Sequence, residues 1–491
     1  MSSLLEAADL ADIKAASISG VETSPGIPRE AWEKTEETLT LEASVVGEDD
    51  EESELAGHTD NLASLNSRPG RSRQRHSHSP PSKLKSMLSE TPGASMRTRY
   101  SLLQIIHAAQ PVSRVELARR LGIKRSRVSE IINPLLAAGV CRETSFEQVS
   151  GRLGRPPVGL SLCAERVSFI GVSIGVSHTQ LRAVDADGAT LAQDEIDTPP
   201  DPMAAMAAIN SAIERLRAEA PFHILSAIGV SVPGPTDAGG TRLLNAPHLG
   251  WRDLAIGDLL RLHDTQRMTD SVPIIVETDA TAAAVYEGRR RLRVRTGGTG
   301  SDFVVVRVGT GIGVGLVLDG EVYRSSDAEG LACDFGHMTI AAGGKLCSCG
   351  NRGCWERYAS APSVGAFYAG RRQQVRDARI PSFSEIVLRA EGGEARAQRA
   401  LHRVGAYLGI GISNVILALG VTDIVVTGAV LEGWGFIHGP LREAMAKTLP
   451  GRLALWSVNA GEPAGAGVGG AVSVAVAHYL LALASQMRVA A

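Results

Sequence analysis

Two stretches of the sequence share one pattern, and together they decide the fold: FIGVSIGVSHTQLRAVDADGATLAQ, residues 169–193, and FVVVRVGTGIGVGLVLDGEVYRS, residues 303–325. Each begins with an apolar run typical of a strand, passes through a glycine-containing turn into a second strand, and reaches an Asp-Gly pair before a third. Asp-Gly favours a tight turn between antiparallel strands. Because this order occurs twice, the sequence predicts an internal duplication.

Strand and helix signals alternate from Ser168 to the C-terminus, which predicts an α/β architecture. A duplicated lobe that opens with a β-turn-β unit is the plan of the actin-like and sugar-kinase fold, a ribonuclease H-like arrangement in which a nucleotide and a substrate meet between two lobes. We therefore expect a two-lobe domain over residues 164–491.

The composition is that of a globular protein, with 44% hydrophobic and 21% charged residues. A length of 491 residues predicts two or three domains and a tail. Six cysteines are too few for a disulfide framework, and no apolar run reaches the roughly 18 residues that a membrane span needs. The N-terminus is acidic where a signal peptide would be basic. These features predict a cytoplasmic protein without membrane insertion.

Residues 1–95 form a tail that is first acidic, around residues 48–54, and then basic, over residues 68–85. This segment has few aromatic residues and cannot bury a core, so it is predicted to be disordered. Its basic part is either a phosphate-binding arm or a solvated linker, and composition alone favours the linker.

A helix-turn-helix pattern begins near Arg97. Apolar residues around Leu102 indicate a first helix, Ser113 is a good N-cap for a second, and the turn at Gly122 leads into a third that begins near Ser126. A hairpin with a Gly/Arg-rich tip follows, as in a winged helix. Eleven basic against four acidic residues between Arg97 and Arg155 give a net charge of +7, which favours nucleic acid. We expect a winged helix-turn-helix over residues 96–163.

The segment from Glu329 to Ser360 contains the strongest motif, His-x9-Cys-x-Cys-x4-Cys, with Gly350 and Gly353 for tight turns between the ligands. One nitrogen and three sulfurs suit tetrahedral zinc, and four protein ligands leave no position for a catalytic water. The alternative is a loop of free thiols. The pattern predicts a structural Zn²⁺ in the loop 337–356, held by His337, Cys347, Cys349 and Cys354.

From Arg97 to the C-terminus the sequence resembles the ROK family of repressors, open reading frames and kinases, and within it the NagC/Mlc-like regulators. The most specific part runs from the turn Gly309–Gly313 through Gly336 and His337 to Glu356. In the kinases of this family the first strand turn reads Asp-x-Gly-Gly-Thr, where the acid supports magnesium and glycine lets the backbone approach phosphate. Here Ser173 and Val176 replace those residues, which implies a protein without kinase activity.

The resemblance also implies a sugar pocket. Asp279 occupies the position of the kinase general base and is vestigial in a regulator, where it still accepts a hydrogen bond from a sugar hydroxyl. A helix N-cap is an equally good interpretation of Asp279. Thr278 and Asp334 replace the family's Asn and Glu, so the resemblance does not by itself imply the family's usual N-acetylhexosamine or hexose preference. The resemblance predicts ligand contacts by Asn245, Thr278, Asp279, Asp334, His337 and Glu356.

For DNA, the resemblance places the third helix in the major groove and the wing in the minor groove. A phosphate contact without sequence specificity is the commoner role for any one of these residues. The predicted DNA-binding residues are Lys124, Arg125, Ser126, Arg127, Ser129, Arg152 and Arg155.

Together these features predict a repressor of carbohydrate-related genes that binds double-stranded operator DNA as a homodimer or tetramer and responds to a sugar or sugar phosphate. Two alternatives stay open. One is an ATP-dependent ROK sugar kinase that acts on a hexose or N-acetylhexosamine, and the other is a regulator controlled by a protein partner.

Overall fold

The computed structural model describes residues 96–145, 158–164, 167–220, 223–260, 272–294, 302–324, 334–370, 379–453 and 455–486. The tail over residues 1–95 and the wing tip with Arg152 and Arg155 lie outside the described residues. All helices and strands named below lie within these residues.

The N-terminal part combines three helices with a small antiparallel sheet of order β1-β3-β2. Ser113 caps the second helix, since its side chain accepts a hydrogen bond from the Glu116 backbone N–H at 3.2 Å. Gly122 ends that helix in the left-handed region, with φ 64°. The elements are α1 (Met96–Ala109), β1 (Val112–Ser113), α2 (Arg114–Leu121), α3 (Arg125–Ala137), β2 (Cys141–Ser145) and β3 (Val158–Leu162).

Two five-stranded sheets follow, and their topologies are the same. In each, three consecutive strands form an antiparallel meander, and two further strands add in parallel beside the first. The first sheet contains β4 (Val167–Ile174), β5 (His178–Asp185), β6 (Thr190–Asp197), β7 (Ile224–Val232) and β10 (Ile274–Thr278). Between β7 and β10 the chain forms a separate antiparallel pair, β8 (Leu243–Ala246) and β9 (Trp251–Leu254). The second contains β11 (Phe303–Val308), β12 (Ile312–Leu318), β13 (Glu321–Val322), β14 (Asp423–Thr427) and β15 (Ser457–Ala460).

The duplication predicted from the two repeated stretches is therefore present. Strand order is β10-β7-β4-β5-β6 in one sheet and β13-β12-β11-β14-β15 in the other. The Asp-Gly pairs lie between the second and third strands of each lobe, where Gly188 and Gly320 have φ 89° and 77°. Both glycines occupy the left-handed region that such turns require.

Helices cover both sheets and bury the cores of the two lobes. They are α4 (Pro202–Glu219), α5 (Ile256–Leu259), α6 (Asp279–Val294), α7 (Glu356–Ala359), α8 (Ala361–Ala369), α9 (Phe383–Glu391), α10 (Ala395–Leu419), α11 (Trp434–Lys447), α12 (Leu449–Leu453) and α13 (Val468–Gln486).

The two lobes exchange their final helices. Helix α6 follows β10 of the first sheet but packs on β11 and β12 of the second, while α13 follows β15 of the second sheet but packs on β4 and β7 of the first. Glycines permit these approaches: a Cβ at Gly315 would lie 2.4 Å from the Ala280 carbonyl oxygen, and a Cβ at Gly229 would lie 2.0 Å from that of Ala471.

By length and composition, α10 and α13 are also apolar enough to cross a membrane, which is weak evidence because core helices pass the same test. The best 18-residue window is 61% buried in α10 and 50% buried in α13. One hydrophobic cluster joins α13 to the N-terminal part: Leu480 and Ala484 are buried together with Leu102 and Ile106 of α1.

Replacing Gly411 of α10 with alanine is expected to lower the free energy of unfolding by about 1–3 kcal/mol, the usual cost of overpacking. A Cβ at this position would lie 1.9 Å from the fully buried ring of Trp355. Gly435→Ala in α11 is the matched control, because nothing lies within 4 Å of its Cβ; we expect up to about 1 kcal/mol of stabilisation. Urea unfolding measures both, and equal effects would contradict the packing argument.

Candidate functional site

The four predicted metal ligands converge on one point. His337 belongs to a short 3₁₀ helix, and the three cysteines lie in the loop that follows. The ligand atoms of His337, Cys347, Cys349 and Cys354 all lie within 4.8 Å of one another. The Cys349 and Cys354 sulfurs are 3.7 Å apart, and Cys347 Sγ lies 3.5 Å from His337 Nδ1. A tetrahedron with Zn–S bonds of about 2.3 Å has edges of about 3.8 Å, so the spacing fits a tetrahedral ion.

Backbone geometry explains how the loop brings these ligands together. Gly350 and Gly353 have φ 90° and 82°, so both predicted tight turns use the left-handed region. At Gly353 a Cβ would also meet the Ala341 carbonyl oxygen at 1.7 Å, so a side chain does not fit there. The loop is fixed to the second lobe by Trp355, whose indole N–H donates to the Tyr407 carbonyl of α10 at 3.0 Å.

Two thiols of the cluster, those of Cys347 and Cys354, hold their protons tightly. Burial raises the pKa of Cys347 to about 12, and the nearby Glu356 carboxylate acts in the same direction. Cys347 Sγ donates to Glu356 Oε1 at 3.0 Å. Burial likewise raises the pKa of Cys354. At neutral pH such thiols become thiolates when a cation replaces their protons, so this cluster can hold a metal ion and would release protons on binding.

A cleft of about 920 Å³ separates the two lobes beside the cysteine loop. Parts of both lobes line it, including the turn from Thr310 to Gly313 in the second lobe and the segment 233–235 in the first. Such a volume is typical of small-molecule sites. The cleft brings together all six predicted ligand contacts: Asn245, Thr278, Asp279, Asp334, His337 and Glu356.

Asp279 forms an ion pair in this cleft. It is the first residue of α6, and its Oδ2 lies 2.7 Å from Arg307 Nη1. Burial raises the pKa of Asp279, while the Arg307 guanidinium and the Ala280 backbone N–H act in the opposite direction. The helix cap is instead Thr278, whose Oγ1 accepts the Thr281 backbone N–H at 3.1 Å. The N-cap interpretation of Asp279 is therefore wrong, because the preceding residue takes that role.

Three other residues predicted to contact a ligand line the same cleft. Asn245 Oδ1 is buried and has no hydrogen-bond partner among the described residues, so it is an acceptor awaiting a donor. His337 turns Nδ1 to the cysteine cluster and Nε2 toward Asp334 Oδ2, at 4.0 Å. Burial raises the pKa of Asp334, and Glu356 adds to the effect while His337 opposes it. The imidazole can thus ligate a metal and border a ligand at once.

Sequence reasoning missed two basic residues of the cleft, Arg307 and His248. Arg307 had a visible signal: it is the one charged residue in the buried strand β11, FVVVRV, beside the glycine turn. His248 had none, since a histidine in a loop is not distinctive. Gly311 lets the turn approach both neighbours, because a Cβ there would lie 2.8 Å from Glu356 Oε2 and 3.6 Å from His248 Nε2.

The predicted DNA-binding residues that the structure describes lie at the start of α3. Lys124, Arg125 and Ser126 are exposed, whereas Arg127 and Ser129 are partly buried. Arg127 Nη1 pairs with Glu130 Oε2 at 2.6 Å. The structure thus presents two cations and a hydroxyl at a helix N-terminus, where the helix dipole also favours anions.

Comparisons with known proteins return both repressors and kinases. The xylose repressor of Bacillus spizizenii is 27% identical over 355 residues, covering 70% of this chain and 85% of that protein. A glucokinase of Streptomyces coelicolor is 27% identical over 300 residues, covering 57% of this chain and 88% of that protein.

Solved structures give the same two groups. A ROK family transcriptional regulator, a homologue of the E. coli Mlc protein, has a TM-score of 0.63 at 22% identity and covers 79% of this chain and 99% of its own. A ROK glucokinase from Streptomyces griseus, in complex with glucose and AMPPNP, has a TM-score of 0.52 at 25% identity. Its match covers 63% of this chain and 99% of its own. Both share the α/β sugar-kinase-like fold.

The model of the ROK family matches residues 169–478, about 310 of the 491 residues. This range includes both five-stranded sheets, the cleft and the cysteine loop. The chain therefore belongs to the ROK family.

Proposed function

We propose that this chain is a transcriptional repressor that binds operator DNA through a winged helix-turn-helix formed by residues 96–163. A sugar or sugar phosphate that enters the cleft releases the DNA. The observation on which this proposal depends is how far the similarity to regulators extends toward the N-terminus.

The span from Phe169 to the C-terminus holds about 323 residues. The Mlc-like regulator covers 79% of the chain, about 388 residues, so at least about 65 matched residues precede Phe169. The match to the xylose repressor covers about 344 residues of this chain, so it also includes residues before Phe169. The two glucokinases cover about 280 and 309 residues, which fit within the family region. The similarity to regulators thus extends into the residues before Phe169, as expected if those residues form a DNA-binding part that kinases do not need.

The N-terminal geometry supports DNA binding. Helix α3 presents Lys124, Arg125 and Ser126 to solvent at its N-terminus, where side chains can reach base edges and the backbone can meet phosphate. The antiparallel strands β2 and β3 form the two arms of the wing. Between Arg97 and Arg155 the net charge is +7 in a protein whose total is -3, so positive charge is concentrated in this part.

The cleft supports a polyhydroxylated ligand. Carboxylates of Asp279, Asp334 and Glu356 and the unpartnered Asn245 Oδ1 offer several acceptors within one volume. Hydrogen bonds between these acceptors and ligand hydroxyls would satisfy polar groups that the fold buries. The repressors of Bacillus are named for xylose, which makes xylose the first candidate, and the regulated genes would serve carbohydrate metabolism.

Helix α6 connects this cleft to the DNA-binding part. Its first residue, Asp279, lies in the cleft. Leu292 lies about 20 Å further along the helix, at a rise of about 1.5 Å per residue. The Leu292 carbonyl accepts a hydrogen bond from Arg120 Nη1 of α2 at 2.7 Å. A ligand that moves the start of α6 would therefore change contacts made by α2. An effector acts through such a difference between two states.

The kinase alternative is favoured by the glucokinase relatives, and two residues argue against it. Ser173 and Val176 replace the magnesium-supporting acid and the second glycine of the phosphate turn. We infer that the phosphoryl-transfer function is absent.

We further propose that the cysteine cluster holds a structural Zn²⁺, that the protein acts in the cytoplasm, and that it binds its operator as a homodimer or tetramer. The side chains of Leu417, Leu449 and Leu453 are 55% to 77% exposed and are available for apolar contacts with a second copy of the chain. Control by a protein partner instead of a sugar is the remaining alternative, and it would leave DNA binding unaffected by any sugar.

On DNA from upstream of its own gene, with excess competitor DNA, the wild-type protein is expected to give a saturable band shift that xylose or another member of a panel of sugars and sugar phosphates abolishes. Arg125→Gln should weaken this binding about 10-fold, as for loss of a phosphate or base contact. Arg215→Gln, whose partner Asp194 lies in the first lobe, is the control. The absence of a specific shift would refute the repressor proposal.

Cys349→Ser is expected to release zinc, measured by elemental analysis of purified protein, because three ligands bind zinc far less tightly than four. The variant should also lose the sugar response, since His337 joins the metal cluster to the cleft. Cys163→Ser, outside the cluster, should keep one zinc per chain. Equal metal content in the two variants would mean that the cluster is not the metal site.

In a coupled ADP assay with ATP, Mg²⁺ and glucose, xylose or N-acetylglucosamine, the protein is expected to release no ADP above background, because the magnesium-supporting acid and the second glycine of the phosphate turn are both replaced. A ROK glucokinase assayed in parallel verifies the conditions. Steady, sugar-dependent ADP release would establish the kinase alternative.

A further inference from the structure

A second cavity, of about 460 Å³, lies where the N-terminal part meets the two lobes. Helix α1 forms one wall, α6 a second, and the β12–β13 hairpin a third. We call it the junction cavity. It shares no lining residue with the cleft described above, so a ligand here would be distinct from the sugar.

Guanidinium groups outnumber carboxylates in the lining of the junction cavity. Its lining contains two carboxylates, of Asp319 and Glu321, against five guanidinium groups. Burial raises the pKa of Glu321, while the guanidinium groups of Arg97 and Arg324 act in the opposite direction. Clustered guanidinium groups with few counter-charges are typical of sites for phosphate and carboxylate. The five are those of Arg97, Arg120, Arg289, Arg291 and Arg324.

Arg289 is the residue of this cavity that most needs a ligand. It is only 9% exposed, and its Nη1 is buried without a hydrogen-bond partner. Its Nη2 donates to His107 Nδ1 of α1 at 2.9 Å. Burial lowers the pKa of His107 to about 3, so this ring is neutral and brings no compensating charge. Burial lowers the pKa of Arg289 only to about 10, so it stays charged at neutral pH.

The other arginines differ in how far they are already paired. Arg324 pairs with Glu277 at 2.6 Å, and Arg291 pairs with Asp423 at 2.7 Å. Arg120 pairs with Glu116, also at 2.6 Å. Arg97 instead donates to the Asp319 backbone carbonyl at 3.3 Å, which is a long and neutral contact. Among the five, Arg97 and Arg289 form no ion pair within 4.0 Å with a described carboxylate; the nearest influence on Arg97 is that of Glu321, whose pKa it lowers.

We propose that the junction cavity binds a small phosphate-bearing anion, held between Arg97 of α1 and Arg289 of α6. A phosphate dianion offers several acceptor oxygens, and its negative charge would compensate the positive charge of the buried guanidinium. A volume of about 460 Å³ admits a metabolite of this kind. Bound there, the anion would link α1 to α6 and fix the DNA-binding part on the lobes; this second consequence rests on the proposed repressor function.

The test measures anion binding without DNA. The full-length protein is titrated with inorganic phosphate, and separately with glycerol 3-phosphate, at constant ionic strength kept with NaCl, and its Tm is followed. We expect a saturable rise in Tm. Arg97→Gln, at an exposed position, and Arg289→Gln should each weaken the apparent affinity at least about 10-fold, the usual effect of losing a hydrogen bond to a charged group. Arg215→Gln is the control and should bind as the wild type does.

No saturable rise, or a rise that both variants retain, would overturn the proposal. If Arg289→Gln fails to fold, Arg97→Gln decides by itself. Tighter binding of glycerol 3-phosphate than of inorganic phosphate would identify a phosphate ester as the ligand, and the reverse would identify free phosphate. A band shift repeated with the bound anion then tests regulation: unchanged operator affinity would overturn the coupling, whereas absence of operator binding in any condition would overturn the repressor function and leave the anion site standing.

Discussion

The exchange of α6 and α13 between the two lobes is the constraint on which the other features depend. Each helix follows a strand of one sheet and packs on the other, and each approach requires glycines in the strands it covers, such as Gly229 and Gly315. Because α6 crosses in this way, its first residue, Asp279, reaches the cleft while its last turn meets the N-terminal helices. Because α13 crosses as well, its outer face closes the core of α1. Site and N-terminal part are thus attached to the same pair of helices.

Local chemistry made much of this fold predictable. Asp-Gly turns, the Ser113 cap and the repeated strand pattern each act within a few residues, so the sequence alone reveals them. The metal cluster was predictable for the same reason, since its ligands lie within 18 positions of the chain. The six cleft residues were predictable only through the family resemblance, because they come from four separated segments.

What sequence reasoning missed depends on distant partners. Arg307 meets Asp279 because β11 and α6 pack side by side, and no spacing rule foresees that pair. Arg289 and His107 are 182 positions apart, and their burial follows from how α1 lies on α6. In both cases a charged residue stands in an otherwise apolar context, which indicates an unusual environment without indicating the partner. The alternative prediction that Asp279 caps α6 was wrong because the sequence offers two adjacent candidates, and Thr278 takes the role.

The cluster shared by α1 and α13 has a consequence for how such chains can be recombined. Leu102, Ile106, Leu480 and Ala484 form one continuous apolar surface across the boundary predicted at residue 163. Grafting the N-terminal part onto another sensor domain would therefore expose apolar side chains on α1 and on the α13 left behind. The graft avoids this exposure only if the C-terminal helix of the recipient is replaced at the same time. Modular engineering of this architecture requires two segments, from opposite ends of the chain, to be transplanted as a unit, and gene fusion in evolution would have faced the same requirement.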